Sequence, residues 1–188
     1  LQDTPQVPVF RTILYQHIGA VVYLSKGMTR FDKQGQDAEI FKRVMQSVLS
    51  VLYALHQHRD IQERVTMYMH RMIDLLDEQS IGQIFPPIIS QLFSQANDIP
   101  QVREVVSLLN QLVQRQKTQA FNIANELFMP VLMRVFQLID KGEYFLKDTR
   151  SEEYRLKAEL HKNTIVLMLA IATDCIAVFS SPSMYFFF

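Results

Sequence analysis

Apolar residues recur every three to four positions along almost the whole 188-residue chain. This spacing places them on one side of an α-helix, because a helix completes a turn in about 3.6 residues. The stretch from Gln119 to Asp140 shows the pattern most clearly. No segment alternates with period two over a useful length, and no Asn-Gly or Asp-Gly pair offers a hairpin turn. The sequence therefore predicts an all-α fold.

The predicted helices come in pairs. Their starts fall near Phe10, Asp37, Asp60, Ser80, Asp98, Thr118 and Thr149. First helices of successive pairs are therefore about 40–50 residues apart, which is typical of HEAT and armadillo repeats. Each pair has more apolar surface than it can bury alone, so pairs stack on one another. We expect an α-solenoid of HEAT-type antiparallel helix pairs, about three and a half of them. A closed bundle of six or seven helices is the alternative.

The repeat spacing also predicts the domain organisation. We expect residues 1–188 to form a single HEAT-repeat segment without a separate second domain. Its pairs lie near residues 10–58, 60–96 and 98–140, and a further helix lies near residues 150–180. Neither end of the sequence is polar, whereas the terminal repeats of such arrays carry a polar outer face. We therefore expect a fragment of a longer superhelix.

Composition excludes several classes of protein. The 19 basic and 19 acidic residues cancel, so the chain is not globally basic, although a local basic stripe remains possible. A single cysteine, Cys175, excludes a disulfide framework and a structural zinc cluster. No phosphate-binding loop, metal-ligand spacing or nucleophile–base pair is present, so we expect no enzyme, cofactor or metal site. The apolar segment Thr164 to Phe179 is too short for a membrane span and contains Asp174, which favours a buried helix.

Four sequence blocks resemble a known family in their order and spacing. They are Tyr68–Leu76, Ile84–Ile88, Leu108–Val113 and Leu127–Leu132. Together they are similar to the later HEAT repeats of the exportin-T family, the tRNA export receptors of the importin-β (karyopherin) superfamily. The Leu-Leu-Asn-Gln-Leu and Phe-Met-Pro blocks are the most specific parts. The resemblance covers about Asp37 to Pro182 well and the first helix more loosely, and the residues after Pro182 match no family that we can name.

The resemblance implies a nuclear export receptor that is not an enzyme. Such a receptor wraps mature tRNA together with Ran-GTP, passes nuclear pore proteins, and releases the tRNA in the cytoplasm after GTP hydrolysis. The family's Ran-binding region lies mainly in early repeats, outside this segment. The implied location is both nucleus and cytoplasm. The alternative is a HEAT-repeat scaffold, or another karyopherin, that binds a protein cargo through the same concave face.

A folded, largely double-stranded RNA is recognised by its shape and phosphates, which requires Lys and Arg side chains along one face. The candidate phosphate contacts are Lys42, Arg43, Arg59, Arg115, Lys117, Arg134 and Lys141. In the superfamily the second helix of each pair lines the concave side, which favours Lys42, Arg43 and Arg134. The alternative is that these cations are solvated and balance nearby carboxylates, namely Asp37, Glu39 and Glu126.

Overall fold

A computed structural model describes residues 7–27, 35–139 and 151–180. Seven α-helices account for most of them: α1 (Val7–Gly27), α2 (Gln36–Leu55), α3 (Arg59–Leu75), α4 (Glu78–Gln95), α5 (Ile99–Gln116), α6 (Phe121–Ile139) and α7 (Glu152–Asp174). Two short 3₁₀ helices follow α5 and α7, at Lys117–Ala120 and Ile176–Ser180. These described residues contain no β-strand, and the all-α prediction is confirmed.

The helix starts are set by local hydrogen bonding. The predicted start at Asp98 is confirmed, because its side chain accepts from the Gln101 amide in a full capping box. The predicted caps at Asp60 and Ser80 are wrong. The N-cap of α3 is His58, and Asp60 lies within the first turn. Asp77 precedes α4 and accepts from the Ser80 amide at 2.9 Å, so it performs the capping role instead.

The chain divides into two compact units, Leu1–Gln83 and Ile84–Phe188. In the first unit, α2 and α3 form an antiparallel pair joined by a short turn, and the Tyr68 hydroxyl donates to the Phe41 carbonyl at 3.1 Å. Helix α1 packs on α3 in a parallel orientation. Contacts from Arg11 to Asp60 and from Tyr15 to Arg64 establish that direction, because both residue numbers rise together.

In the second unit, α5 is the central helix and contacts both α6 and α7. Its direction is parallel to α7. Arg103 pairs with Glu159 near the start of both helices, and the Cys175 thiol donates to the Lys117 carbonyl near their ends. The buried apolar residues of α5 recur at helical spacing: Val102, Val105, Val106, Leu108, Leu109, Leu112 and Val113.

Within each unit, helices therefore follow the pattern of a repeat array. The consecutive helices α2 and α3 are antiparallel, and the alternate helices α1 with α3 and α5 with α7 run parallel. This is the packing of an α-solenoid, in which each pair buries its apolar face against its neighbour. The predicted α-solenoid fragment is confirmed. The prediction of a single domain over residues 1–188 remains a prediction.

Candidate nucleic-acid interface

The outer face of α2 carries the first group of candidate residues. Ile40, Arg43, Ser47 and Ser50 are all exposed and follow helical spacing. The opposite face, with Phe41, is buried. An open depression of about 500 Å³ lies along this outer face. It is lined by Ile40, Arg43, Val44, Gln46, Ser47 and Ser50. We call these six residues the α2 face.

Arg43 is the cation of the α2 face. Among the residues that the structure describes, no carboxylate lies within ion-pairing distance of its guanidinium. The Ser47 hydroxyl donates to the Arg43 backbone carbonyl at 3.4 Å, one turn along the helix. Arg43 therefore keeps its full set of guanidinium donors for an anion, and a guanidinium can hold a phosphate with two parallel bonds. Sequence analysis missed Ser47 and Ser50, although their spacing from Arg43 places them on the same face.

Lys42 differs sharply from its neighbour. Its ammonium group pairs with Glu39 at 2.8 Å and with Asp77 at 3.1 Å. Hydrogen bonds to these two carboxylates raise the pKa of Lys42. Two negative charges thus already neutralise this cation. For Lys42 the balancing role considered from sequence agrees with the geometry, and the side chain ties α2 to the start of α4.

Asp77 is correspondingly held in its charged form. Partial burial acts to raise the pKa of Asp77, but the hydroxyl and amide of Ser80 and the ammonium of Lys42 outweigh it. The net result is a pKa of about 2. Hydrogen bonds to a carboxylate favour its ionised form, so this group remains an anion at any physiological pH.

In the second unit, Arg134 on α6 is half-buried, and no described carboxylate pairs with it. Glu126, which was considered as its balancing charge, accepts instead from the Ser90 hydroxyl at 3.2 Å. Two exposed apolar side chains, Met133 and Phe136, flank Arg134 on the same helix. A second cation, Arg115, is exposed in the last turn of α5.

Lys117 follows Arg115 and has an unusual backbone. Its φ of 50° and ψ of −126° lie in a region that glycine occupies readily and other residues rarely do. Its side chain is exposed, and its carbonyl accepts from the Cys175 thiol. Strained residues of this kind concentrate at functional sites, so the conformation adds weight to Lys117 as a candidate.

The structure says less about the two remaining candidate phosphate contacts, Arg59 and Lys141. Arg59 is exposed at the start of α3 and pairs with Glu63 at 3.0 Å on its own helix. Lys141 lies outside the described residues. The structure adds two exposed cations that sequence analysis did not select, Arg155 and Lys162 on α7. They lie on a first helix, whereas the superfamily pattern used in the prediction favours second helices.

The described part of the chain holds no cluster of metal ligands, and its cysteine is a buried free thiol. No group of three His, Cys, Asp or Glu side chains there could hold a metal ion. Cys175 is buried, and burial together with Asp174 raises the pKa of its thiol, which lowers the fraction of reactive thiolate. Of the helices that the structure describes, none is long and apolar enough to cross a membrane.

Parallel packing of alternate helices and antiparallel packing of consecutive ones are typical of a helical-repeat protein. The Exportin-T family model matches residues 10–183, and the chain belongs to the Exportin-T family. Exportin-T of Dictyostelium discoideum is 26% identical over 185 residues, which is 93% of this chain. Exportin-T of Arabidopsis thaliana is 28% identical over 145 residues, or 76% of the chain, and that of Homo sapiens 26% over 107 residues, or 57%.

The match is confined to a small part of each relative. The chain spans 17% of the Dictyostelium protein, 14% of the Arabidopsis protein and 11% of the human protein. No solved structure matches the chain.

Proposed function

We propose that this chain is part of a nuclear export receptor that carries tRNA from the nucleus to the cytoplasm together with Ran-GTP. The observation that carries the proposal is the match of the Exportin-T family model to residues 10–183. The receptor shuttles between the two compartments and contacts nuclear pore proteins on the way. Its work is binding and release, so it is a transport protein and not an enzyme. Ran-GTP is bound mainly by repeats other than those described above.

Within the receptor, the second helices of the pairs contact tRNA phosphates on the concave side. Arg43 on α2 and Arg134 on α6 support this role, because neither has a carboxylate partner among the described residues. The small hydroxyl side chains of Ser47 and Ser50 let a sugar–phosphate backbone approach the α2 face closely. Arg115 in the last turn of α5 and Lys117 just after it supply further charge. Lys42 does not contact phosphate but orients α2 through Asp77.

A protein cargo is the second candidate, and one observation favours it. Exposed apolar side chains accompany the cations on both second helices. Ile40 and Tyr53 on α2 are each 51% exposed, and Phe136 on α6 is 58% exposed. Aromatic and arginine side chains together are typical of the central part of protein interfaces. On this alternative the protein is a HEAT-repeat scaffold or a karyopherin for a protein cargo.

The decisive experiment is a pull-down of labelled tRNA by the receptor that contains this segment. We expect retention with Ran loaded with a non-hydrolysable GTP analogue and little retention with Ran-GDP. Equal retention in both states would contradict export coupled to Ran. Absence of tRNA binding, with a protein retained in a Ran-GTP-dependent manner, would establish the protein-cargo alternative.

A second experiment tests whether Arg43 contacts tRNA phosphate. Phosphate contacts release counterions, so the logarithm of the tRNA association constant falls linearly with the logarithm of salt concentration. We expect Arg43→Gln to reduce the magnitude of that slope by about one unit. Lys26→Gln on α1 removes the same charge from a first helix and is the matched control. Lys42→Gln should weaken binding without changing the slope. Equal slopes for the Arg43 variant and the wild type would exclude Arg43 as a phosphate contact.

A further inference from the structure

The two serines of the α2 face direct their hydroxyl hydrogens towards their own helix. Ser50 Oγ lies 3.1 Å from the Gln46 carbonyl oxygen, and Ser47 Oγ makes the longer contact of 3.4 Å to the Arg43 carbonyl oxygen. A carbonyl oxygen can only accept a hydrogen bond, so the hydroxyl is the donor in both contacts. Serine side chains inside helices commonly bond to the carbonyl four residues earlier in this way.

Each of these hydroxyls therefore presents an acceptor to the solvent. A serine oxygen carries one hydrogen and two lone pairs, and the hydrogen is already committed to the helix. Both serines are exposed, and within the part of the chain that the structure describes no other group bonds to either hydroxyl. A ligand that lies against Ser47 and Ser50 is thus best matched if it carries hydrogen-bond donors.

Arg43 has the opposite polarity on the same face. A guanidinium group has five N–H donors and no acceptor, and Arg43 is the single charged residue that lines the depression of about 500 Å³. Ser47 follows it by about 6 Å along the helix axis and Ser50 by about 10 Å. The α2 face therefore presents a group that only donates, followed by two hydroxyls whose free sides accept.

A ribonucleotide strand carries the complementary groups. Its phosphates only accept hydrogen bonds, whereas each ribose 2′-hydroxyl can also donate one. DNA has the same phosphates without the 2′-hydroxyl, so a protein can use this group to tell RNA from DNA. A ligand that offered phosphates alone would satisfy Arg43 but would place oxygen lone pairs against those of the serines.

We propose that Ser50, supported by Ser47, is a specificity-determining residue that accepts a hydrogen bond from a ribose 2′-hydroxyl while Arg43 holds a neighbouring phosphate. The inference rests on the proposed function, because it requires the α2 face to contact tRNA. It adds the chemical group through which this face distinguishes RNA from other polyanions. Phosphate contacts alone carry no such information, since every nucleic acid supplies them.

The test compares two forms of one tRNA on the receptor that contains this segment, with Ran loaded with a non-hydrolysable GTP analogue. One form is the ordinary transcript, and in the other every 2′-hydroxyl is replaced by fluorine. Fluorine preserves the A-form geometry and all phosphates but cannot donate a hydrogen bond. We expect Ser50→Ala to weaken binding of the ordinary tRNA about fivefold and to leave binding of the fluorinated tRNA unchanged.

Two control variants separate the contributions. Arg43→Gln should weaken binding of both forms by the same factor, because both keep their phosphates. Thr12→Ala on α1 removes an exposed hydroxyl that likewise donates to a carbonyl four residues earlier, that of Pro8 at 3.0 Å, and should change neither affinity. Alanine is a better helix former than serine, so the Ser50 variant is expected to fold.

The outcomes distinguish this inference from the proposed function. If Ser50→Ala weakens binding of both forms equally, the hydroxyl donates to a phosphate and the inference is overturned. An unchanged affinity for both forms overturns it as well, while the proposed function stands. If the wild type retains neither form of the tRNA, the proposed function fails and the inference fails with it.

Discussion

The ammonium group of Lys42 lies 3.1 Å from the carboxylate of Asp77, and this single ion pair joins the middle of α2 to the residue that caps α4. Asp77 also accepts from the hydroxyl of Ser80 at 2.6 Å and from its amide at 2.9 Å. One carboxylate thus serves as a helix cap and as the partner of a cation from another helix. Its side chain is 26% exposed, so water screens these interactions only in part.

The lowered pKa of Asp77 predicts a stability loss in acid. Its folded pKa of about 2 lies below its ordinary 3.8, so the stabilisation is complete above pH 5 and is lost as the pH falls from about 4 to 2. The contribution is at most about 2 kcal/mol. Urea unfolding at several pH values, for the wild type and for Asp77→Asn, measures it. The two free energies should approach each other as the pH falls from about 4 to 2, and parallel curves over this range would contradict the assignment.

The buried hydroxyl of Tyr68 should contribute to stability through its bond to the Phe41 carbonyl. Burial raises the pKa of Tyr68, so the phenol remains a donor throughout the working pH range. We expect Tyr68→Phe to lower the free energy of unfolding by about 1 kcal/mol. Tyr53→Phe removes the same hydroxyl from a side chain that is 51% exposed on α2, and should change stability little. Equal effects of the two substitutions in urea titrations would count against the buried bond.

The two hydrogen bonds of the α5 capping box should stabilise the helix cooperatively. Asp98 accepts from the Gln101 amide at 2.8 Å, and the Gln101 side chain accepts in return from the Asp98 amide at 3.3 Å. Asp98→Ala should cost about 1 kcal/mol of unfolding free energy. In a double-mutant cycle with Gln101→Ala, the two losses should not add, because each residue orients the other. Strict additivity in denaturant unfolding would mean that the two bonds act independently.

Replacing Lys117 by glycine should stabilise the fold. Its φ of 50° and ψ of −126° strain any residue with a Cβ, whereas glycine adopts them freely. We expect Lys117→Gly to raise the free energy of unfolding by about 1 kcal/mol. Lys117→Ala loses the same charge but keeps the Cβ, so it should bring no gain. If the alanine variant is stabilised as much as the glycine variant, the effect comes from charge and not from the backbone.

The same two Lys117 variants bear on tRNA binding. Both remove one exposed cation, so both should weaken binding to a similar degree despite their different stability. If both variants keep the wild-type tRNA affinity at low salt, Lys117 is not a tRNA contact.

The sequence determined the helices and the α-solenoid class of the fold. Apolar residues at helical spacing record which face of each helix is buried, and this local pattern is readable without neighbours. The spacing of helix starts predicted the α-solenoid, and the Asp98–Gln101 motif located one start correctly. The caps at Asp60 and Ser80 were misplaced by a few residues, because several capping residues occur close together and only the final backbone selects one of them.

Only the tertiary structure shows that Lys42 and Arg43 have different surroundings. The two residues are adjacent in sequence and both carry a full positive charge, so no local pattern distinguishes them. Their side chains leave α2 in directions about 100° apart. One meets Asp77, which the turn between α3 and α4 brings to that side of the helix, and the other points away from the described carboxylates. Charge and helical period are local properties of the sequence, whereas ion pairing depends on which distant residues the fold brings together.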